Sequence, residues 1–307
     1  MSQTCMMIIS PYHQLPQTLF FHDAETNQPI HLVGTMHYNP HSIKKVEDVI
    51  KAYGSTDRLG SLVIESCEER WEITQRIQPM GSKLRSFLDN EFQAAAELAD
   101  QYGARVILAD ENISRNNERV NSALIQTVQD LGSPPKGWER IMFDLRRGWF
   151  ENIDPQLPPT SKIESRGRMF LDKSDLFDLD MLQSAPISLA RYVLGFVAKK
   201  PIPGTLLLAW LAGLIGYGVF GISDDLSLLD EAKATATGLF LNLILGLPLM
   251  GRILLITLLG DRNEILARRI SDECRRLKSK EGCEEHVVVV VLGLAHVNGV
   301  KRLLCKR

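Results

Sequence analysis

Two segments of the chain share one design. Ile30 to Val33 runs into Gly34 and, three positions later, His37; Val288 to Leu292 runs into Gly293 and then His296. With 22 glycines and seven histidines in 307 residues, chance alone yields about 0.5 Gly-x-x-His spacings, so the spacing by itself says little. The apolar run before each gives it content. A glycine at the end of a strand lets the backbone turn, and the histidine beyond it is carried above the carboxyl edge of an α/β sheet, where such sheets place their sites. A third apolar run, Leu62 to Ile64, ends in Glu65 and puts a carboxylate at the equivalent edge. Two imidazoles and a carboxylate with one position left open form a set that binds a divalent cation and lowers the pKa of its water toward about 7. His37, Glu65 and His296 are therefore the candidate metal ligands. Each also has an ordinary reading, in which a histidine caps a helix or satisfies a backbone group and Glu65 pairs with Arg70.

Those residues need a sheet to present them, and the sequence supplies its elements. Thr18 to His22 and Pro29 to Val33 flank the turn-rich stretch 23–28 and predict a hairpin. Ile43, Val46, Val49 and Ile50 lie on one stripe of a helix over 42–53, with Gly54 as its C-cap. A strand over 59–64, one helix over 82–102 stopped by Gly103, and a strand over 105–110 follow. After Asp261 the same grammar returns: a basic helix over 263–280, then 286–292 with five consecutive valines, the mark of a strand buried on both faces. The expected fold is α/β, with a mixed, largely parallel sheet flanked by helices and built from N- and C-terminal segments, into which an apolar helical part is inserted. The α/β domain takes 1–132 and 261–307. A Pro-rich linker and helical region occupies 133–200, to which no chemistry is assigned, and an apolar helical hairpin occupies 201–260.

That apolar part has 23 uncharged residues from Pro201 to Ser223, preceded by Lys199 and Lys200 and followed by Asp224 and Asp225. The length suffices to cross a bilayer core of roughly 30 Å. Ala209/Gly213 and Ala212/Gly216 are small-xxx-small pairs that let helices approach closely in lipid. A second uncharged stretch runs from Ala234 to Gly251, with another apolar run over 253–259. If the segments on either side share one sheet, the chain crosses a membrane twice or not at all. The expectation is a transmembrane hairpin on an intracellular protein, at an organelle membrane or a cytoplasmic face.

Composition removes other classes. Thirty-five basic residues against 37 acidic ones leave a net charge of −2, with no basic stripe interleaved with aromatics, so nucleic acid is not an expected partner. Five scattered cysteines without a C-x-x-C pair argue against a disulfide framework or a cysteine-based zinc site and suggest a reducing compartment. No Gly-x-Ser-x-Gly elbow supports a serine esterase.

The motifs also carry a family likeness. The run 31–37, the segment 62–70, the block from Asp110 to Arg119, the stretch 261–267 and the run 291–299 resemble, in that order, segments of the TraB family, which includes the pheromone-shutdown proteins and is related to the TIKI and GumN group. The resemblance implies an α/β fold with two Gly-x-x-His motifs and a glutamate in one site. It further implies metal-dependent proteolysis, with manganese or cobalt preferred by the TIKI relatives, or inactivation of peptide pheromones. Eukaryotic members are often tied to organelle membranes. Carried over by position, it places His37, Glu65 and His296 at the metal or catalytic positions and Arg70, Asp110, Arg119 and Arg262 at the polar accessory positions. Arginines there could orient a peptide carboxylate or stabilise an oxyanion. Two departures stand out: Ala109-Asp110-Glu111 where the family commonly has Gly-Asp-Arg, and Asn116 where a threonine is usual. The expected function is hydrolysis of a peptide or small protein with a divalent metal, manganese, cobalt or zinc. Glu65, Arg70, Asp110, Arg119 and Arg262 would assist. The competing expectation is a non-catalytic, membrane-anchored adaptor that keeps the fold.

Overall fold

Five strands form one sheet in the order β1-β2-β5-β3-β4 in the computed structural model, which describes residues 15–155, 169–176, 178–199 and 247–305. β1 (Thr18–His22) and β2 (Pro29–Thr35) pair antiparallel as the hairpin; β2 with β5 (Val287–Gly293), β5 with β3 (Leu59–Ile64) and β3 with β4 (Arg105–Leu108) pair parallel. The last strand in sequence is thus the middle strand of the sheet. Its valines explain why. Val288 and Val290 face one core, Val287, Val289 and Val291 the other, and all five are fully buried. A strand covered on both faces has no use for polar alternation.

Helices close both faces. α1 (Pro40–Gly54) and α4 (Glu91–Gln101) cover one, through Val46, Val49, Ile50, Ala95 and Ala99. On the other face lie a helix at Arg262–Lys278 and a helix at Leu294–Cys305, here α11 and α12, through Leu266, Ile270, Val297 and Val300. Between β3 and α4 run α2 (Glu68–Ile77) and α3 (Lys83–Phe87). The single helix expected over 82–102 is therefore two: Asn90 leaves the helical path, and its side chain accepts from Gln93 N, which starts α4 afresh.

The region 133–200 is more helical than its prolines suggest. After α5 (Ile113–Leu131) come α6 (Lys136–Gly148) and a π-helical turn at Trp149–Ile153; α7 (Lys173–Leu176), α8 (Leu179–Gln183) and α9 (Ala185–Lys199) follow. The transmembrane hairpin is corrected. Among the described residues no helix is long and apolar enough to cross a membrane. The described end of the expected hairpin is α10 (Leu247–Arg252) and a π-helical stretch at Ile253–Asp261. Both are docked on the folded domain. Arg252 is buried between Asp130 and Asp144, each 2.6 Å away, and a Cβ on Gly148 would lie 2.8 Å from Leu255 Cβ. Pro201 to Ser223, its small-residue pairs, Asp224 and Asp225 beyond it and the stretch 234–246 lie outside the described residues.

Candidate functional site

Four parallel strands point their carboxyl ends at one edge, and each delivers a polar residue there: β2 His37, β5 Gly293 and His296, β3 Glu65, and β4 Asp110. The ladder continues past the strands. Glu65 N donates to Val291 O, Ala109 N to Ile64 O and Asp110 N to Ser66 O, so the loops that carry the site are pinned by backbone bonds.

His37, Glu65 and His296 converge on Gly293. A Cβ at that position would stand 3.2 Å from Glu65 Oε2, 3.3 Å from His37 Nε2 and 3.6 Å from His296 Cδ2, while Gly293 N donates to Glu65 Oε2 at 2.7 Å. The glycine supplies room rather than the sharp turn expected of it, because neither Gly34 nor Gly293 has a positive φ. The left-handed residue is Tyr38, at φ 61°, whose N–H turns back to Glu91 Oε2 at 3.0 Å. A Cβ on Gly34 would likewise meet Leu294 Cδ1 at 2.7 Å and Val297 Cγ2 at 3.0 Å, so the first motif's glycine gives close packing room to the helix that carries the second.

Each histidine is held by its Nδ1. His37 Nδ1 lies 2.5 Å from Glu91 Oε1, and Glu91 is the first residue of α4, where the helix dipole favours a carboxylate. His296 Nδ1 lies 2.7 Å from Asn263 Oδ1. The opposite edge of each ring is left to the centre of the site, and His296 Nε2 stands 3.2 Å from Glu65 Oε1. Burial alone would raise the Glu65 pKa, but His296, Arg262 and His37 hold it well below the ordinary carboxylate range. Burial disfavours the His37 imidazolium, yet Glu91 and Glu65 outweigh it and raise its pKa to about 9. That ring keeps 37% of its side-chain surface exposed, so solvent screens the pairing.

The accessory arginines separate into two groups. Arg262 joins the centre: its Nη2 is 2.5 Å from Glu65 Oε1 and 2.5 Å from Asp110 Oδ2, with Nε 3.0 Å from Asp110 Oδ1. The ordinary pairing of Glu65 with Arg70 does not occur. Arg70 bonds Asp110 at 2.7 Å and the Glu111 carbonyl at 3.1 Å. Arg119 stands one step out, 3.2 Å from Glu111 Oε1 and 3.7 Å from Asp261 Oδ2. Glu111 thus engages a cation instead of supplying one.

The donor set fits a divalent ion in kind, with two rings tied at Nδ1 and a carboxylate kept ionised. In spacing it is wider than a closed site. Among the described residues, the ligand atoms that come within 4.8 Å of one another belong to His41, Asp178 and Asp180. That trio is an ion-pair cluster already served by Lys45, 3.7 Å from Asp178, and by Gln17, which donates to the same oxygen at 3.2 Å.

Sequence reasoning missed Glu91, Asn263 and Asn152. Asn90, an N-capping residue type, was the available signal for a helix start at Glu91, and Asn263 adjoins a residue already singled out. Nothing in the local pattern marks Asn152. The chain matches no family profile, no curated protein and no solved structure, so the likeness to the TraB family rests on the motifs quoted above.

Proposed function

We propose that the chain is a metal-dependent hydrolase of peptides, of the TraB type, with its reacting centre over Gly293 between His37, Glu65 and His296. The observation that carries this reading is the paired orientation of the imidazoles. Each gives its Nδ1 to a fixed acceptor, Glu91 or Asn263, and turns its other edge toward Glu65. Histidine ligands are ordinarily held this way. The ion, when bound, supplies a water of lowered pKa and a Lewis acid for the scissile carbonyl.

The chain's own residues do the rest. Arg262 keeps Glu65 ionised and in place, locked in turn by its two bonds to Asp110. Arg70 and Arg119, with 33% and 39% of their side chains exposed, stand at the rim, where each could turn from its carboxylate partner to a carbonyl or carboxylate of a peptide.

Titration of the full-length protein with cobalt(II) or manganese(II), alongside mass-spectrometric detection of cleavage in a peptide library, tests the reading. One ion per chain is expected, with affinity reduced about 100-fold or more in His37→Ala and His296→Ala and cleavage abolished by chelation. Cleavage that survives chelation and both substitutions would overturn it. A chain that neither binds metal nor cleaves would point to the adaptor reading.

A further inference from the structure

His296 is set by a chain of hydrogen bonds that begins far from it in sequence. Asn152 Nδ2 donates to Gly148 O at 2.9 Å and to Leu255 O at 3.3 Å. Asn152 Oδ1 lies 2.7 Å from Asn263 Nδ2, and Asn263 Oδ1 lies 2.7 Å from His296 Nδ1.

The polarity of that chain follows from its far end. A carboxamide nitrogen only donates and a carbonyl oxygen only accepts. Two backbone carbonyls therefore hold Asn152 with its nitrogen toward them, and its oxygen faces Asn263. Asn263 must answer with its nitrogen, which leaves its oxygen for the ring. The ring nitrogen opposite that oxygen must carry a hydrogen. Turning either amide over would set donor against donor or acceptor against acceptor, in a place where Asn263 is fully buried and Asn152 is 2% exposed. Buried mismatches of this kind have no water to relieve them.

Two further features belong to the same device. Gly299 lies three residues after His296 on α12, and a Cβ there would run into Asn263 Nδ2 and stand 2.8 Å from Asn152 Oδ1. Only glycine leaves room for the amide pair. Asn152 and Leu255 both sit in π-helical segments, a wide helical form that recurs at functional sites.

We propose that Asn263 and Asn152 are positioning residues that hold a hydrogen on Nδ1 of His296 against the competing pull of Glu65, whose Oε1 is 3.2 Å from Nε2, and so leave the Nε2 electron pair as the one the ring can give to an ion. What that electron pair does rests on the metal-site reading above. The tautomer itself does not, because it is measurable in the metal-free protein.

Long-range ¹H–¹⁵N correlation spectra of the full-length protein, labelled at histidine, read the tautomer from the high-pH limit of the His296 signals. Wild type is expected to keep the hydrogen on Nδ1 in that limit, although Glu65 Oε1, 3.2 Å from Nε2, competes for it. Asn263→Leu and Asn152→Leu should shift the hydrogen toward Nε2. With cobalt(II) as the probe, Asn263→Leu should lose about tenfold or more in affinity. A wild-type ring with its hydrogen on Nε2 overturns the proposal whether or not the variants fold. A wild-type Nδ1–H ring in a protein that binds no cobalt upholds the amide pair's role and sinks the metal reading alone.

Discussion

His37 carries a proton that a metal ion would have to displace. Its ring is buried on the Phe92 side, at a centroid distance of 5.5 Å, which disfavours the charged form. Glu91, bonded at Nδ1 and itself 1% exposed at the side chain, more than compensates, and the pKa rises to about 9. The sign follows from that direction. The His37–Glu91 pair contributes stability that is fully present below the unfolded value of 6.5 and is lost as pH rises through about 9. Metal binding runs the other way, because the ion needs the neutral ring. Calorimetric titration with cobalt(II) in buffers of different ionisation enthalpy should show about one proton released per ion at pH 7. Affinity should climb with pH and flatten near 9. In Glu91→Gln the climb should move to lower pH. Affinity independent of pH between 6 and 9 in wild type would mean that His37 is not displaced by the ion.

At the scale of elements, what could be read from the sequence was whatever an apolar period announces. The strands over 18–22 and 59–64 and the stripe of α1 fall where alternation and 3.6-residue spacing put them, since a core face leaves its mark on every turn. The ends of β2, β3 and β5 were readable for the same reason, and with them His37, Glu65 and His296. Polar residues that act through one hydrogen bond leave no such trace. Glu91 looked like mid-helix composition, and Asn152 lay in a Pro-rich stretch without period. Arg252 interrupted an apolar run that length alone assigned to a membrane. In the fold it bridges α10 to Asp130, the penultimate residue of α5, and to Asp144 on α6, with 5% of its side chain exposed. Its removal leaves Asp130 with Arg140, 2.5 Å away, and takes a cation from Asp144, whose side chain is 24% exposed, at about 1–3 kcal/mol. Arg252→Met should therefore lower the thermal midpoint by several degrees, read by circular dichroism, while leaving cobalt affinity within about threefold. An unchanged midpoint would show that residues 247–261 are not docked on the domain.

The whole molecule depends on a strand that arrives last. Every neighbour of β5 comes from the first 64 residues, so β2 and β3 cannot meet until the C-terminal segment lies between them. That arrangement also makes the site, because His37 and Glu65 stand on strands that only β5 brings side by side, and β5 ends in the glycine they converge on. The energetic scale is set by five fully buried valines. At about 1.5–3 kcal/mol each, an upper bound against a partly collapsed unfolded chain, they are worth as much as the entire stability of an ordinary domain, roughly 5–15 kcal/mol. No rearrangement of the remaining sheet could replace them, since β2 and β3 would each expose a parallel edge that was built to be covered. A chain ended at residue 280, without β5 and α12, should therefore give no sigmoidal thermal transition, bind a hydrophobic dye and elute as aggregate, whereas the full chain unfolds cooperatively. A truncated chain that melts cooperatively, with the strand signal of the intact protein, would show that the N-terminal strands close a sheet of their own and that fold and site are not made by the same step.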